Sequence, residues 1–352
     1  MDDVKVTVAI AVFNVEDFIR KSVDSVLNQD FESLEVLVVD DCSTDRSMEI
    51  VNEIASEHIN GGKLKIIKHN QNLGTGATRN TCIANASGKY LLFLDGDDFI
   101  PQCAVSQLYT EMKNTNADFV MGQHAFVDMR GATLSSTNYK SGQISGDFSI
   151  AQWMRNNHTD YFPVALWNKL WDVDFLRRNK FEIVPWHRQE DLYFTFQVAF
   201  AAKKVSTIPQ VTMYWVMRQR SAIHSEVTDF HYKQYLDIFS RCVLYLNNAK
   251  KAIPGNIPYE LYYIITNRYL TGFITMNTVF SSKITNKEKA DYLKKISSIR
   301  KIGIKRSQLI SKKEKLVFVI LKYRFRYPLF VISMKLISRL LLIRTKISLW
   351  LS

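Results

Sequence analysis

Residues 89–100 read KYLLFLDGDDFI: an apolar run, Tyr90 to Leu94, meets Asp95, Gly96, Asp97 and Asp98. Carboxylates this close raise one another's pKa and repel. A divalent cation between them removes the repulsion, and oxygen ligands at D-x-D spacing suit Mg²⁺ or Mn²⁺. Such ions keep waters and complete their shells with substrate phosphates, which points to a nucleotide diphosphate. Gly96 permits the tight turn that aims Asp95 and Asp97 the same way. Other polar clusters stand at Asn14–Asp17, at Asp40–Ser43, at Glu190 and Asp191 in RQEDLYF, and at Arg218 and Arg220 in VMRQRSAIH. Two arginines at i, i+2 on a strand share a face, and guanidinium forks suit phosphate oxygens. A carboxylate such as Asp191 can take the proton of a hydroxyl nucleophile.

These residues need elements to hold them. Val4, Val6, Val8, Ile10 and Val12 recur at period two, so residues 4–13 read as a strand. LEVLVV (34–39), LKIIKH (64–69) and YLLFL (90–94) read as three more, with helical spacing between them. Strand–helix alternation implies crossover connections and a mainly parallel sheet, and ligands bind outside the carboxyl ends of such strands. One Asp at a strand end is ordinarily a cap or turn. Clusters at three strand ends read as one shared pocket. Further on, 118–127 reads as a strand, 131–147 as a loop, 165–179 as near-helical, 188–202 as a helix, and 211–225 as a strand becoming a basic turn. The chain reads helical beyond about 230, broken by IPGNIP at 253–258.

The 352 residues carry a net charge of +12, unevenly spread. Residues 1–230 sum to −7 and residues 231–352 to +19. A basic segment favours an anionic partner. Residues 312–350 interleave ten Lys and Arg and one acid with large apolar side chains, and no apolar run there is long enough to span a bilayer. That suits an interfacial helix on anionic lipid; the alternative is a helical domain with a basic solvated face, which leaves a dimer contact open. Nucleic acid is disfavoured, because the front half is acidic and no nucleic-acid motif is visible. Four scattered cysteines, Cys42, Cys82, Cys103 and Cys242, form neither a disulfide framework nor a zinc site and fit a reducing compartment. The start, MDDVKVTVAI, has acids where a secretion signal has basic residues, so none is expected.

The runs VTVAIAVFNVEDFIRKSVDSVLNQDFESLEVLVVDDCSTDRS, NQNLGTGATRN and GKYLLFLDGDDFI resemble glycosyltransferase family 2, closely from residue 4 to about 105 and more loosely to about 225. The resemblance implies a GT-A fold: an α/β, Rossmann-like domain with a mainly parallel sheet and flanking helices, followed here by a helical basic C-terminal region. It divides the chain into a nucleotide-sugar half at 1–115, an acceptor half at 116–229 and the basic region at 230–352. It implies an inverting, metal-assisted transfer from a UDP-sugar to a hydroxyl of a lipid-linked or cell-surface glycan, at the cytoplasmic face of the membrane. It assigns Ala11, Phe13 and Glu16 to the nucleobase and ribose, Asp40 to the uracil, and Asp95 to the ribose and metal. Asp97 becomes the main Mn²⁺ or Mg²⁺ ligand, Asp98 a support, and Asp191 the general base. Arg218 and Arg220 fall on the diphosphate. The chain departs from the family where Ala11 replaces a common Pro and Cys42 a common Gly.

Blander readings stand beside these. Glu190 and Asp191 also suit a helix start. Arg218 and Arg220 also suit a solvated turn, and His224 is either a further metal ligand or solvated. Trp167, Trp171, Phe175 and Leu176 read as packing; Trp186 and Trp215 either pack or stack on a sugar. The rival from another class is a non-catalytic nucleotide-sugar-binding protein of the same fold. A nucleotidyltransferase fits less well, because AVFNVEDF has no Gly- and Lys-rich phosphate loop.

Overall fold

The computed structural model describes residues 4–159, 162–185, 190–218, 229–253, 257–258 and 260–261. Residues 1–226 form one unit, and the described residues after it belong to a second. The first unit opens with β1 (Val6–Val12), α1 (Ile19–Leu27), β2 (Leu34–Asp40), α2 (Ser47–Glu57), β3 (Leu64–Lys68), α3 (Thr75–Asn85), β4 (Tyr90–Asp95) and α4 (Ala104–Thr115). It continues through β5 (Phe119–Val127), β6 (Thr133–Ser136), β7 (Gly142–Ser145), α5 (Ser149–Asn156), β8 (Lys169–Asp172), α6 (Val173–Asn179), α7 (Glu190–Ala201) and β9 (Lys204–Val216). In the second unit α8 (Asp229–Ala252) buries Ile238, Cys242 and Leu246, an i, i+4, i+8 stripe. Residues 262–352, including the basic stretch at 312–350, lie outside the described residues.

The nine described strands form one sheet in the order β3-β2-β1-β4-β8-β5-β9-β7, with β6 on β5. β1, β2, β3 and β4 are parallel to one another. Every residue of β2 is buried and nearly every one of β1, as expected of parallel strands covered on both faces by helices. The main core packs Val8, Ile10, Val36, Val38, Leu92 and Leu94 of the sheet against Ile19 and Val23 of α1, Val51 of α2 and Leu108 of α4.

The second half of the sheet is mixed. β8 runs antiparallel to β4 and β5, whereas β5 and β9 are parallel. Here the structure departs from the sequence pattern three times. The strand expected from residue 211 begins at Lys204 and ends at Val216, which leaves Arg218 just beyond it. The near-helical run 165–179 is split: Lys169–Asp172 is a strand seated between β4 and β5, and only Val173–Asn179 is helical. Two neighbouring strands offering unpaired backbone groups decided this over local periodicity. The expected loop 131–147 contains the short strands β6 and β7. Their side chains are almost all exposed, so no apolar alternation marked them.

Candidate active site

The strand register sets three of the expected residues side by side. Ala11 pairs with Asp95 across β1 and β4, and Val12 pairs with Asp40 across β1 and β2. Asp40, Ala11 and Asp95 therefore lie together along the carboxyl edge of the parallel strands. Asp40 is fully buried. Its Oδ1 accepts from the Ser43 amide at 2.9 Å, while Oδ2 has no hydrogen-bond partner among the described residues. Lys68 Nζ lies 3.8 Å from that oxygen. A buried carboxylate oxygen without a hydrogen-bond donor is costly, and the Lys68 charge offsets part of that cost.

Asp41, next in the chain, does structural work. Its carboxylate accepts from the amides of Leu73 and Gly74, each at 2.8 Å, and meets His69 Nδ1 at 2.8 Å. Nε2 of His69 meets Thr81 Oγ1 at 2.9 Å. These bonds fasten the loop that enters α3 with Gly74 at φ +90°, a backbone position glycine adopts without strain. Cys42 holds φ +64°, which explains why glycine suits that place after the paired acids.

Helix α3 carries the residue sequence reasoning passed over. Arg79 lay inside the quoted run NLGTGATRN, and its one signal was a cation on a helix face that packs inward. Its Nη1 donates to Glu190 Oε1 at 2.6 Å and its Nη2 to Asp95 Oδ1 at 3.2 Å. Burial works against its charge, but Asp95, Glu190 and Asp191 hold it protonated, above its ordinary pKa. Arg79 thus bridges the D-x-D turn to the head of α7.

Around the turn, Asp97 Oδ2 is ion-paired with Arg218 Nη2. The Arg218 guanidinium lies 5.3 Å from the centre of the Phe18 ring, and its Nε is buried without a partner among the described residues. Burial and then the Asp95 charge raise the pKa of Asp97, against Arg218. Asp98 has a defined task. Its amide donates to Asp95 O at 3.0 Å, closing the turn, and its Oδ1 accepts from the Val216 amide at 2.8 Å. It pins the end of β9 two residues before Arg218. Burial, then Asp97 and Asp95, push its pKa well above the ordinary range. Gly96 serves by close approach: its amide donates to Ala11 O at 3.0 Å, and an added Cβ would stand 3.0 Å from that oxygen.

Phe13 is 44% exposed beside this edge. Glu16 faces α2: its Oε2 accepts from the Arg46 amide at 2.9 Å, while its own amide donates to Asp45 at 3.0 Å. Asp191 is half-buried in the first turn of α7. Glu190 beside it is buried and committed to Arg79; burial, then Asp191 and Asp95, push its carboxyl up to about 7 against the pull of Arg79. Of the pair, Asp191 is the one with access to solvent. Trp171, Phe175 and Leu176 are core residues, while Trp167 is half-buried against His124 and Trp215, with ring centres 5.1 and 5.3 Å apart. Arg220, His224 and Trp186 lie outside the described residues.

Asp95 and Asp97 are hard oxygen donors of the kind Mg²⁺ or Mn²⁺ takes, and each is paired with an arginine here, Arg79 and Arg218. Among the described residues no group of three or more His, Cys, Asp or Glu gathers to hold a metal ion. Two carboxylates fit an ion that takes its remaining ligands from water and phosphate.

A buried carboxylate with one oxygen lacking a hydrogen bond, a D-x-D turn and an arginine thus gather at the carboxyl edge of the parallel strands of an α/β fold. Residues 7–167 match the model of glycosyl transferase family 2, so this stretch of the chain is similar to that family. Over 304 residues it is 29% identical to the poly(ribitol-phosphate) beta-glucosyltransferase of Bacillus spizizenii, covering 84% of this chain and 44% of that one. Over 211 residues it is 31% identical to glycosyltransferase GlyA of Streptococcus pneumoniae, covering 58% and 29%. The chain thus spans less than half the length of these two relatives. The crystal structure of S. aureus TarS 1–349 in complex with UDP-GlcNAc shares the fold, with a TM-score of 0.68, 20% identity, and 94% and 89% of the two chains covered.

Proposed function

We propose that this protein is an inverting glycosyltransferase that moves a sugar from a UDP-sugar to a hydroxyl of a cell-surface polymer or lipid-linked glycan. The observation that carries the reading is the row Asp40, Ala11, Asp95, with the bare Oδ2 of Asp40 in its floor. A uracil ring has an N–H for that oxygen. Ala11 and Phe13 border the base and ribose, with Glu16 at the far side of the loop, and Asp95 faces the ribose. Arg218 exchanges Asp97 for the diphosphate, with Arg220 beside it in sequence. Asp97 and Asp95 would hold Mn²⁺ or Mg²⁺, His224 being a further candidate ligand; the ion supplies positive charge to the diphosphate.

Asp191 accepts the proton of the acceptor hydroxyl. That oxygen attacks the anomeric carbon opposite the UDP, the bond from carbon to phosphate oxygen breaks, and its electron pair leaves with UDP. The negative charge developing on the diphosphate is met by Arg218, a preorganised donor worth about 10²–10³-fold in rate. The similarity to a poly(ribitol-phosphate) beta-glucosyltransferase supports a polymer hydroxyl as acceptor. The +19 charge of residues 231–352 supports an anionic membrane surface on the cytoplasmic side as the place of work, and among the described residues no helix is long and apolar enough to cross a membrane.

The test is thermal stabilisation against a panel of nucleotide sugars with Mn²⁺, then UDP release with acceptor. Asp97→Asn is expected to abolish transfer while the chain stays folded. Asp191→Asn is expected to bind UDP but not turn over. Wild-type turnover in either variant would remove the role assigned to that residue, and UDP binding with no transfer to any acceptor would favour a non-catalytic binding protein.

A further inference from the structure

The segment 164–168, just before β8, is fastened residue by residue. Val164 O accepts from Thr195 Oγ1 at 2.6 Å, Ala165 O from Lys169 Nζ at 2.6 Å, and Leu166 O from the Trp171 indole N–H at 3.0 Å. Asn168, at φ +60°, donates from Nδ2 to Gly122 O at 2.8 Å and accepts from Thr212 Oγ1 at 2.5 Å. A backbone position outside the common regions persists only where its surround over-determines it, and such positions cluster at functional sites. The residue presented by these bonds is Trp167.

Trp167 packs partly against the main core and is otherwise open. Its ring centre lies 5.1 Å from that of His124 and 5.3 Å from that of Trp215, and Trp215 lies 5.2 Å from Phe126. Trp215 and Phe126 are half-buried too, and they pair across β9 and β5. Burial, then Lys169, hold His124 down at about 4, so the ring cluster carries no charge. The indole N–H groups of Trp167 and Trp215 have no partner among the described residues, whereas Trp153 donates to Thr207 Oγ1 at 2.9 Å and Trp171 to Leu166 O. Apolar rings with two spare donors suit a cyclic sugar, whose C–H face packs on aromatic carbon while its hydroxyls accept hydrogen bonds. An alkyl chain has no acceptor for those donors, and an open-chain polyol has no apolar face.

The cluster lies where an acceptor must sit. β8 is antiparallel to β4 and to β5, so β5 and its parallel partner β9 run the same way as β4. Phe126 and Trp215, each one residue from the end of its strand, therefore reach the same edge as Asp95. The backbones of Phe99 and Tyr214 bond each other at 3.3 and 2.9 Å, and Asp98 holds the Val216 amide, so Trp215 stands beside the D-x-D turn. Thr195, whose hydroxyl holds Val164 O, lies one helical turn after Asp191 on α7. The rings thus run from the turn that faces the donor to a segment tied to the helix of Asp191. We propose that Trp167, Trp215 and Phe126 form an acceptor subsite for a cyclic sugar, which lays its C–H face on the rings and accepts hydrogen bonds from the two indole N–H groups. This rests on the reading of the protein as a transferase, and it narrows the acceptor to a glycan of ring sugars rather than an open-chain polyol phosphate.

The experiment uses the full chain with Trp167→Ala, Trp215→Ala and Trp167→Phe; the last keeps a ring against His124 but removes the N–H, and it decides if an alanine variant does not fold. Saturation-transfer NMR, with UDP and Mn²⁺ present, reads three probes: methyl β-D-glucopyranoside, ribitol and octanoate. The wild type is expected to saturate the ring protons of the pyranoside far more than either other probe. That signal is expected to fall about tenfold in the alanine variants, as for a lost aromatic contact, and about threefold in Trp167→Phe, as for one lost hydrogen bond. UDP affinity, by calorimetry, is expected to stay unchanged in all three. No saturation of the pyranoside, equal saturation of ribitol, a signal carried by octanoate, or a folded Trp167→Phe protein with the wild-type signal would overturn the proposal. The readout needs no turnover, so the two readings fail separately. A chain that holds the pyranoside through these rings but transfers no sugar loses the transferase reading, and one that transfers sugar to a ribitol phosphate polymer while leaving the pyranoside unsaturated loses the subsite.

Discussion

Replacing Arg79 by Met should be the most damaging single change to the first unit that leaves its apolar core untouched. The guanidinium is 4% exposed and binds Glu190 at 2.6 Å and Asp95 at 3.2 Å. Removing one partner of a buried ion pair costs about 3–5 kcal/mol, because the remaining charge is left uncompensated. Glu190 can escape part of that cost by taking a proton. Its carboxyl already sits near 7, against an ordinary value of 4.5, and losing Arg79 moves it higher. A carboxyl whose folded pKa is raised binds a proton that the unfolded chain does not, so stability falls as pH rises through that window. In the wild type this fall is over once the pH passes about 7; in Arg79→Met it continues above 7, by at most about 1.4 kcal/mol per pH unit. The deficit of Arg79→Met relative to wild type should therefore be smaller at pH 6 than at pH 8. Urea unfolding of both proteins at the two pH values, followed by circular dichroism, measures it. A deficit below about 1 kcal/mol, or one that shrinks from pH 6 to pH 8, would refute the reasoning.

Asp98→Ala should cost about 1–3 kcal/mol by leaving the Val216 amide buried without an acceptor. It should also weaken UDP-sugar binding, measurable by calorimetry, because Val216 stands two residues before Arg218. Gly76→Ala should lower Tm by several degrees, since its Cβ would stand 1.9 Å from Val184 O and two backbones must part, at about 1–3 kcal/mol; an unchanged Tm would show that α3 does not need that approach. Glu35 is held below its ordinary value despite burial, through hydrogen bonds from Thr7 Oγ1 at 2.6 Å and from the Ser87 amide and hydroxyl. Its contribution is present above pH 4.5 and is lost as pH falls through its depressed pKa. Glu35→Gln should be less stable than wild type at pH 7, with the gap narrowing below pH 4, in acid titrations of unfolding.

The first half of the fold was legible in the residues because its signals are local. β-branched runs such as VTVAIAV are buried on both faces, and each ends in a polar cluster; the strands formed within a residue or two of their expected limits. The acids at those ends needed no knowledge of pairing to be suspected. β8 and β6 were hidden because nothing in KLWD or TLSS marks a strand until neighbours supply hydrogen bonds. Arg79 was hidden for a related reason. Its partners lie 16 and 111 residues away, and no periodicity records such a contact.

The sequence by itself determined the chemistry on offer: carboxylates in D-x-D spacing, a second acidic strand end, and arginines after a late strand. Only the tertiary structure decided how those groups divide the work. Register put Ala11 between Asp40 and Asp95. Burial separated Asp40, with its bare oxygen, from Asp41, which is saturated by loop amides, although the two are neighbours of identical type. Asp98 became the clamp on β9, while Asp97 met Arg218. Identical side chains acquire different tasks because desolvation and hydrogen-bond supply depend on position in the packed sheet, and that position is set by partners distant in the chain.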